Sequence, residues 1–139
     1  MTQEEKELLL KDLCGRLPHS VKISVPELWT SEKKIEVLNE IFKGDDGLYR
    51  VNDNGIIVEY VKPYLFPLSG MTAEQLYELR ELFGFEIEFL NGFIDLSFRS
   101  TLEYLEMIAI IEWFNKNHFD YRGLIPMGLA IDCTNLNIY

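Results

Sequence analysis

Asn-Gly pairs occur twice in this chain, at Asn54-Gly55 and Asn91-Gly92, and each stands between two runs of alternating residues. Asn-Gly readily takes the left-handed conformation at both central positions of a type I′ turn, so each segment is expected to close as an antiparallel hairpin. In FEIEFLNGFIDLSF (85–98) such a turn sets Phe85 opposite Phe98, Ile87 opposite Leu96 and Phe89 opposite Ile94, which makes one face wholly apolar. The other face carries Glu86, Glu88 and Asp95, with Glu88 directly opposite Asp95. In LYRVNDNGIIVEYV (48–61) the same turn sets Val51 opposite Val58 and Tyr49 opposite Tyr60, and brings Arg50 to Glu59.

Helical patterns surround the hairpins. Thr2-x-x-Glu5 has the form of a capping box, and Leu9, Leu10, Leu13 and Leu17 follow at near-helical spacing, with Gly15 and Pro18 as stops. The first helix is expected over roughly 3–14. VKISV (21–25), ended by Pro26, has the alternation of a strand. Residues 30–43 fit both periods, and the β signals on either side favour strand. KPYLFPLSG (62–70), with two prolines, is expected as a linker pressed on the surface. Thr72-x-x-Gln75 caps a second helix carrying Leu76, Leu79 and Phe83 on one side, and Gly84 stops it. Ser100-x-x-Glu103 caps a last helix over about 101–116, where Glu112 and Lys116 form an i,i+4 pair. Its middle, MIAII (107–111), is apolar almost all round and is expected at the buried centre. The pattern predicts a single α+β domain over 1–139: an N-terminal helix, a small antiparallel sheet or partly open barrel, and two helices in the C-terminal half flanking the second hairpin.

Charge narrows the function classes. Thirteen Lys+Arg against 23 Asp+Glu give a net charge of −10, and the largest basic cluster is Lys33-Lys34. Such a chain repels phosphate backbones, so direct nucleic-acid binding is not expected. Cys14 and Cys133 read as free thiols of a reducing compartment, Cys14 at a helical position suited to a small buried hydrophobe. The N-terminus lacks the basic region of a signal peptide, and no window approaches 18 apolar residues. A soluble cytoplasmic protein without membrane association is the expectation.

The densest run of chemistry-bearing side chains is NKNHFDYRGLI (115–125), which holds His118, Asp120, Tyr121 and Arg122. Catalysis there, as in a small hydrolase or transferase, would need His118 to pass protons, Asp120 or Glu112 to orient it, and Arg122 to hold an anion. The setting favours a structural role: the run follows a helix end, where a cation such as His118 or Lys116 suits the dipole. Phe119, Tyr121, Leu124 and Ile125 would pin the exit segment to the core. Other motifs fail on their own terms. Gly123 to Gly128 has phosphate-loop glycine spacing, but Leu129 and Ala130 stand where Lys and Ser/Thr are needed. RVNDNG (50–55) lacks the first and last ligands of a calcium loop. Two His and two Cys, none at paired ligand spacing, argue against zinc, and no cofactor is implied.

Three segments together carry a resemblance: EEKELLLKDLCGRLP (4–18), KPYLFPLSGMT (62–72), and WFNKNHFDYRGLI (113–125) with GLAI (128–131). They resemble a family of short, acidic, uncharacterised proteins of Bacteroides-type gut bacteria and their phages or mobile elements. That resemblance implies a bacterial or phage cytoplasmic setting and draws attention to Pro63, Pro67, His118, Asp120, Tyr121 and Arg122. It brings no activity and no catalytic residue. Gly70 stands where the family pattern leads one to expect Ser.

The function expected from all this is a non-catalytic protein–protein interaction or accessory factor with a protein partner. The nominated face joins His118, Asp120, Tyr121 and Arg122 to the acidic hairpin residues Glu86, Glu88 and Asp95. Two alternatives stand beside it: an acidic DNA mimic that blocks a basic host protein, and the small hydrolase or transferase using His118.

Overall fold

A computed structural model describes residues 1–27, 29–83, 88–90, 93–95 and 104–139. The first helix, α1 (Gln3–Arg16), starts as its cap signal predicts, with Thr2 Oγ1 accepting the Glu5 N–H at 3.1 Å. It runs through Gly15 and ends in a 3₁₀ turn at Leu17–His19 that contains Pro18. Strand β1 (Lys22–Pro26) follows, and residues 30–43 resolve into two strands, β2 (Lys33–Val37) and β3 (Ile41–Lys43). Strand was the better reading, but the segment breaks at residues 38–40 and its two halves join different sheets.

The first hairpin closes two residues away from its expected register. Strands β4 (Tyr49–Val51) and β5 (Ile56–Ile57) pair Val51 with Ile56 and Arg50 with Ile57, around a four-residue turn. The competing force is Asn52, which leaves the strand at a left-handed φ of 56°. Its Oδ1 accepts the Asn39 N–H at 2.8 Å, and its Nδ2 donates to the Val37 carbonyl at 2.9 Å. A shift of two keeps the faces, but it separates Arg50 from Glu59. Arg50 instead reaches Asp46 at 2.7 Å, and Tyr60 lies in a 3₁₀ turn (Val58–Tyr60) rather than opposite Tyr49.

Residues 62–70 are no surface linker. Their first half is β6 (Lys62–Leu65), an interior strand of a four-stranded sheet ordered β2-β1-β6-β9, where β9 (Ile131–Asp132) pairs in parallel with β6. Pro63 is tolerated there for a reason visible in the register. It faces Ile23, whose own backbone groups turn toward Glu36 on β2, so the pairing asks no N–H of the proline. Strands β3, β4 and β5 form a second sheet.

Helix α2 (Ala73–Phe83) opens on a complete capping box: the Gln75 N–H donates to Thr72 Oγ1 at 3.1 Å and the Thr72 N–H to Gln75 Oε1 at 2.9 Å. The second hairpin pairs β7 (Glu88–Leu90) with β8 (Phe93–Asp95) in the expected register, Phe89 opposite Ile94 and Glu88 opposite Asp95. Its outer pairs Phe85/Phe98 and Ile87/Leu96, the residue Glu86 and the cap Ser100 lie outside the described residues. The last helix, α3, spans Tyr104–Lys116.

Leu9 and Leu13 of α1 pack on Val21, Ile23, Val25, Val51, Val61 and Leu65 in the main core. A second cluster joins Leu68 and Leu79 to Ile110, Trp113, Phe114 and Phe119. Two expectations are corrected here. Ile108 is 42% and Ile111 37% exposed, so among the described side chains α3 buries one face, because Ile110, Trp113 and Phe114 already fill the contact. Cys14 is exposed, off the Leu9–Leu13 stripe of α1, while Cys133 is buried and burial holds its thiol up at about 11.

Candidate functional site

The exit from α3 is built as a helix stop. His118 takes a left-handed φ of 62°, its N–H bonds the Asn115 carbonyl at 3.3 Å, and the Phe119 N–H bonds the Phe114 carbonyl at 3.0 Å. Those two bonds are the Schellman arrangement that closes many helices. The chain then lies against β6: the Phe66 N–H bonds the His118 carbonyl and the Asp120 N–H bonds the Phe66 carbonyl, both at 2.9 Å. Each of the four nominated side chains has a place in this docking. Asp120 is buried, and its carboxylate accepts the N–H groups of Leu124 at 2.8 Å and Ile125 at 2.9 Å. The Tyr121 ring stacks on Phe114 and lies under two guanidinium groups, Arg16 at 5.2 Å and Arg122 at 5.0 Å. Arg122 Nε stands 3.3 Å from Asp12 Oδ1.

His118 and Asp120 are not brought together as a dyad. The imidazole instead stacks on Tyr139, ring centroids 3.8 Å apart and planes 10° from parallel. Burial, and then the charges of Arg16, His19 and Lys22, hold its pKa down at about 4. A neutral imidazole of that kind is a weak base. Glu112, the other candidate orienter, pairs with His19 at 3.0 Å rather than with His118 or Lys116. Tyr139 is anchored at its far end, its hydroxyl accepting the Lys22 N–H and donating to the Tyr64 carbonyl, both at 2.8 Å.

Beneath this segment lies an ion pair that sequence reasoning missed. Asp12 and Arg16 are both fully buried, with Arg16 Nε 2.7 Å from Asp12 Oδ2 and Arg16 Nη2 2.6 Å from the Phe119 carbonyl. A signal existed. Leu9, Asp12, Leu13 and Arg16 stand at i, i+3, i+4 and i+7, so the charged pair sits on the apolar stripe of α1. Four buried polar atoms of this cluster find no hydrogen-bond partner among the described residues, Arg16 Nη1, Asn115 Oδ1, His118 Nδ1 and Tyr121 Oη, and Asp12 Oδ1 and Arg122 Nε meet as an ion pair without a hydrogen bond.

A different region turns unpaired groups outward. Strand β2 is the outer strand of its sheet, and Ile35 is 52% and Val37 37% exposed on it. Trp29, in the loop before it, is 94% exposed. Beside β2 runs an open cleft of about 770 Å³ lined by Lys34, Glu36, Asn52, Asp53 and Asn54, where Asn52 and Asn54 donate to the Glu36 carboxylate at 3.1 and 3.0 Å. Burial alone would raise the Glu36 carboxyl. Bonds from Asn52, Lys34 and Asn54 outweigh that and hold its pKa below the ordinary value. The sequence carried only a faint sign of this surface, the Lys33-Lys34 pair and an isolated Trp.

Among the described residues, no group of three or more His, Cys, Asp or Glu is arranged to hold a metal ion, and no helix is long and apolar enough to cross a membrane. Comparison with known proteins gave no match to any family model, curated protein or solved structure.

Proposed function

We propose that the protein is a non-catalytic interaction module, an accessory factor of bacterial or mobile-element origin, and that it binds a protein partner through β2 and Trp29. The observation that carries this reading is the exposure of Ile35 and Val37 on an outer strand beside an open cleft, with Trp29 exposed in the loop before that strand. Exposed large apolar side chains on an outer strand suit a contact surface, and tryptophan is enriched where such contacts are strongest. The His118–Arg122 segment supports the same reading from the other side, since its side chains are engaged in holding the fold.

The test uses the tagged protein as bait in lysate of its source cell, beside Trp29→Ala, Ile35→Lys and Arg122→Ala baits of matched folded fraction. The expected result is a stoichiometric partner lost with the first two and kept with the third. Loss with Arg122→Ala alone would return the site to the exit segment. The acidic DNA-mimic reading keeps one specific support, the direct pairing of Glu88 with Asp95. It requires capture that weakens steeply with salt and is lost with Glu88→Lys.

A further inference from the structure

The pairing of β2 with β1 determines where its remaining backbone groups point. The Leu38 N–H bonds the Val21 carbonyl at 2.9 Å, and the Glu27 N–H bonds the Glu32 carbonyl at 3.0 Å. In an antiparallel ladder bonded and non-bonded pairs alternate, so Ile23/Glu36 and Val25/Lys34 are bonded pairs as well. Lys33, Ile35 and Val37 therefore turn their N–H and C=O groups away from β1. The Val37 carbonyl accepts Asn52 Nδ2, whereas the outward groups of Lys33 and Ile35 make no hydrogen bond among the described residues. An outer strand left in this state is a template for another strand.

The residues of β2 say which strand. Lys33-Lys34-Ile35-Glu36-Val37 is complementary to itself in the antiparallel sense about Ile35. A two-fold rotation there sets Lys34 opposite the second copy's Glu36, Glu36 opposite its Lys34, Ile35 opposite Ile35, and Lys33 opposite Val37. Ile35 would form a bonded pair with its own copy through the groups that point outward. Lys34 and Glu36 lie on one face, where their side chains already meet within one chain at 3.0 Å. Across the axis the four charges would alternate in sign, the arrangement that favours cross-strand pairs. Centring the axis on Lys34 would instead oppose Lys34 to itself. The register about Ile35 is the one that matches the charges and the outward backbone groups of Ile35 together; at its ends Lys33 lies beside Val37, whose carbonyl stays with Asn52.

We infer that β2 pairs edge to edge with β2 of a second copy of this chain, joining the two four-stranded sheets across a two-fold axis at Ile35. The inference rests on the reading of β2 as the interaction strand. Sedimentation velocity over a wide range of protein concentration, at about 0.15 M salt to screen the repulsion of two acidic chains, tests it. The wild-type chain is expected to pass from monomer to dimer. Ile35→Lys, an exposed change that sets like charges on the axis, is expected to weaken the dimer at least about tenfold. Lys34→Glu should weaken it too, whereas Lys11→Glu, the same charge change at an exposed site on α1, should leave it unmoved. Thermal melts keep the comparison to folded protein.

A monomer at every concentration would overturn the inference, as would a dimer indifferent to Ile35→Lys or equally affected by Lys34→Glu and Lys11→Glu. If the chain is a monomer yet partner capture is still lost with Ile35→Lys, the second copy is removed as occupant and β2 remains the interaction strand. If neither self-association nor capture depends on Ile35, both readings fall.

Discussion

Replacing Asp12 with Asn removes one charge from the buried pair while keeping the shape of the side chain. Arg16 would then be a fully buried cation with neutral acceptors alone, the Phe119 carbonyl and the new amide oxygen at position 12, and with the face of Tyr121 above it. Breaking a buried pair by removing one partner typically costs about 3–5 kcal/mol, because an uncompensated charge is left out of water. The Phe119 carbonyl and the Tyr121 ring persist, so the lower end, about 3 kcal/mol, is the expected value. Against a total stability of about 5–15 kcal/mol the variant stays folded, with its midpoint lowered by roughly 10 °C. Urea unfolding followed by tryptophan fluorescence is a suitable assay, since Trp113 is buried against Phe119 while Trp29 is already in solvent. The double change Asp12→Leu with Arg16→Met should recover most of the loss, because matched apolar side chains remove both charges together. Lys6→Ala, which breaks a partly exposed pair with Glu59 at 2.9 Å, should cost less than about 1 kcal/mol. A loss under 1 kcal/mol for Asp12→Asn would refute the reasoning, since the pair would then behave as if water reached it.

Other expectations can be measured alongside. His118 has a folded pKa of about 4 against an ordinary 6.5, so the unfolded chain takes up its proton first. Stability should therefore be insensitive to this group above pH 6.5 and fall as pH drops toward 4, by about 1–2 kcal/mol once partial exposure is allowed for. Denaturant titrations of wild type and His118→Gln between pH 7 and 5 would show it, the variant having the flatter profile. Asp120→Ala should cost about 2–3 kcal/mol by leaving the Leu124 and Ile125 N–H groups unpaired, read from urea midpoints at constant m. Asn52→Ala should cost a similar amount and speed amide exchange at Asn39 and Glu40, which bond its carbonyl oxygen. Trp29→Ala should change stability by less than about 0.5 kcal/mol in the same assay, because its side chain is almost wholly in solvent.

The parts of the fold legible in the sequence are those decided by neighbours in the chain. The caps at Thr2 and Thr72 form as their spacing indicates, and the Phe89/Ile94 and Glu88/Asp95 pairs form in the register that the Asn91-Gly92 signal predicts. The first hairpin carried the same turn signal and still slipped by two. Asn52 gains bonds to Val37, Asn39 and Glu40, at the end of β2 and in the break before β3, and no pattern within the hairpin contains those partners. Proline content concealed β6 for a like reason, since the position of Pro63 is harmless only beside Ile23. At the candidate sites, the sequence named the residues of the exit segment but not what holds them. Asp12 and Arg16, about a hundred residues away, show in the sequence as a charged pair on the apolar stripe of α1, but what they hold appears only with α1 and α3 side by side. The exposure of Ile35 and Trp29 likewise depends on where the sheet ends.

Two surfaces have separate roles in the proposal: the His118–Arg122 segment holds the fold, and β2 with Trp29 is proposed to meet the partner. Measuring partner capture and unfolding midpoint together for Ile35→Lys and Arg122→Ala tests that division most directly. Ile35→Lys is expected to lose capture with an unchanged midpoint, and Arg122→Ala to lower the midpoint by uncoupling Asp12 while folded protein keeps full capture. Capture lost with Arg122→Ala at an unchanged midpoint, and retained with Ile35→Lys, would contradict it.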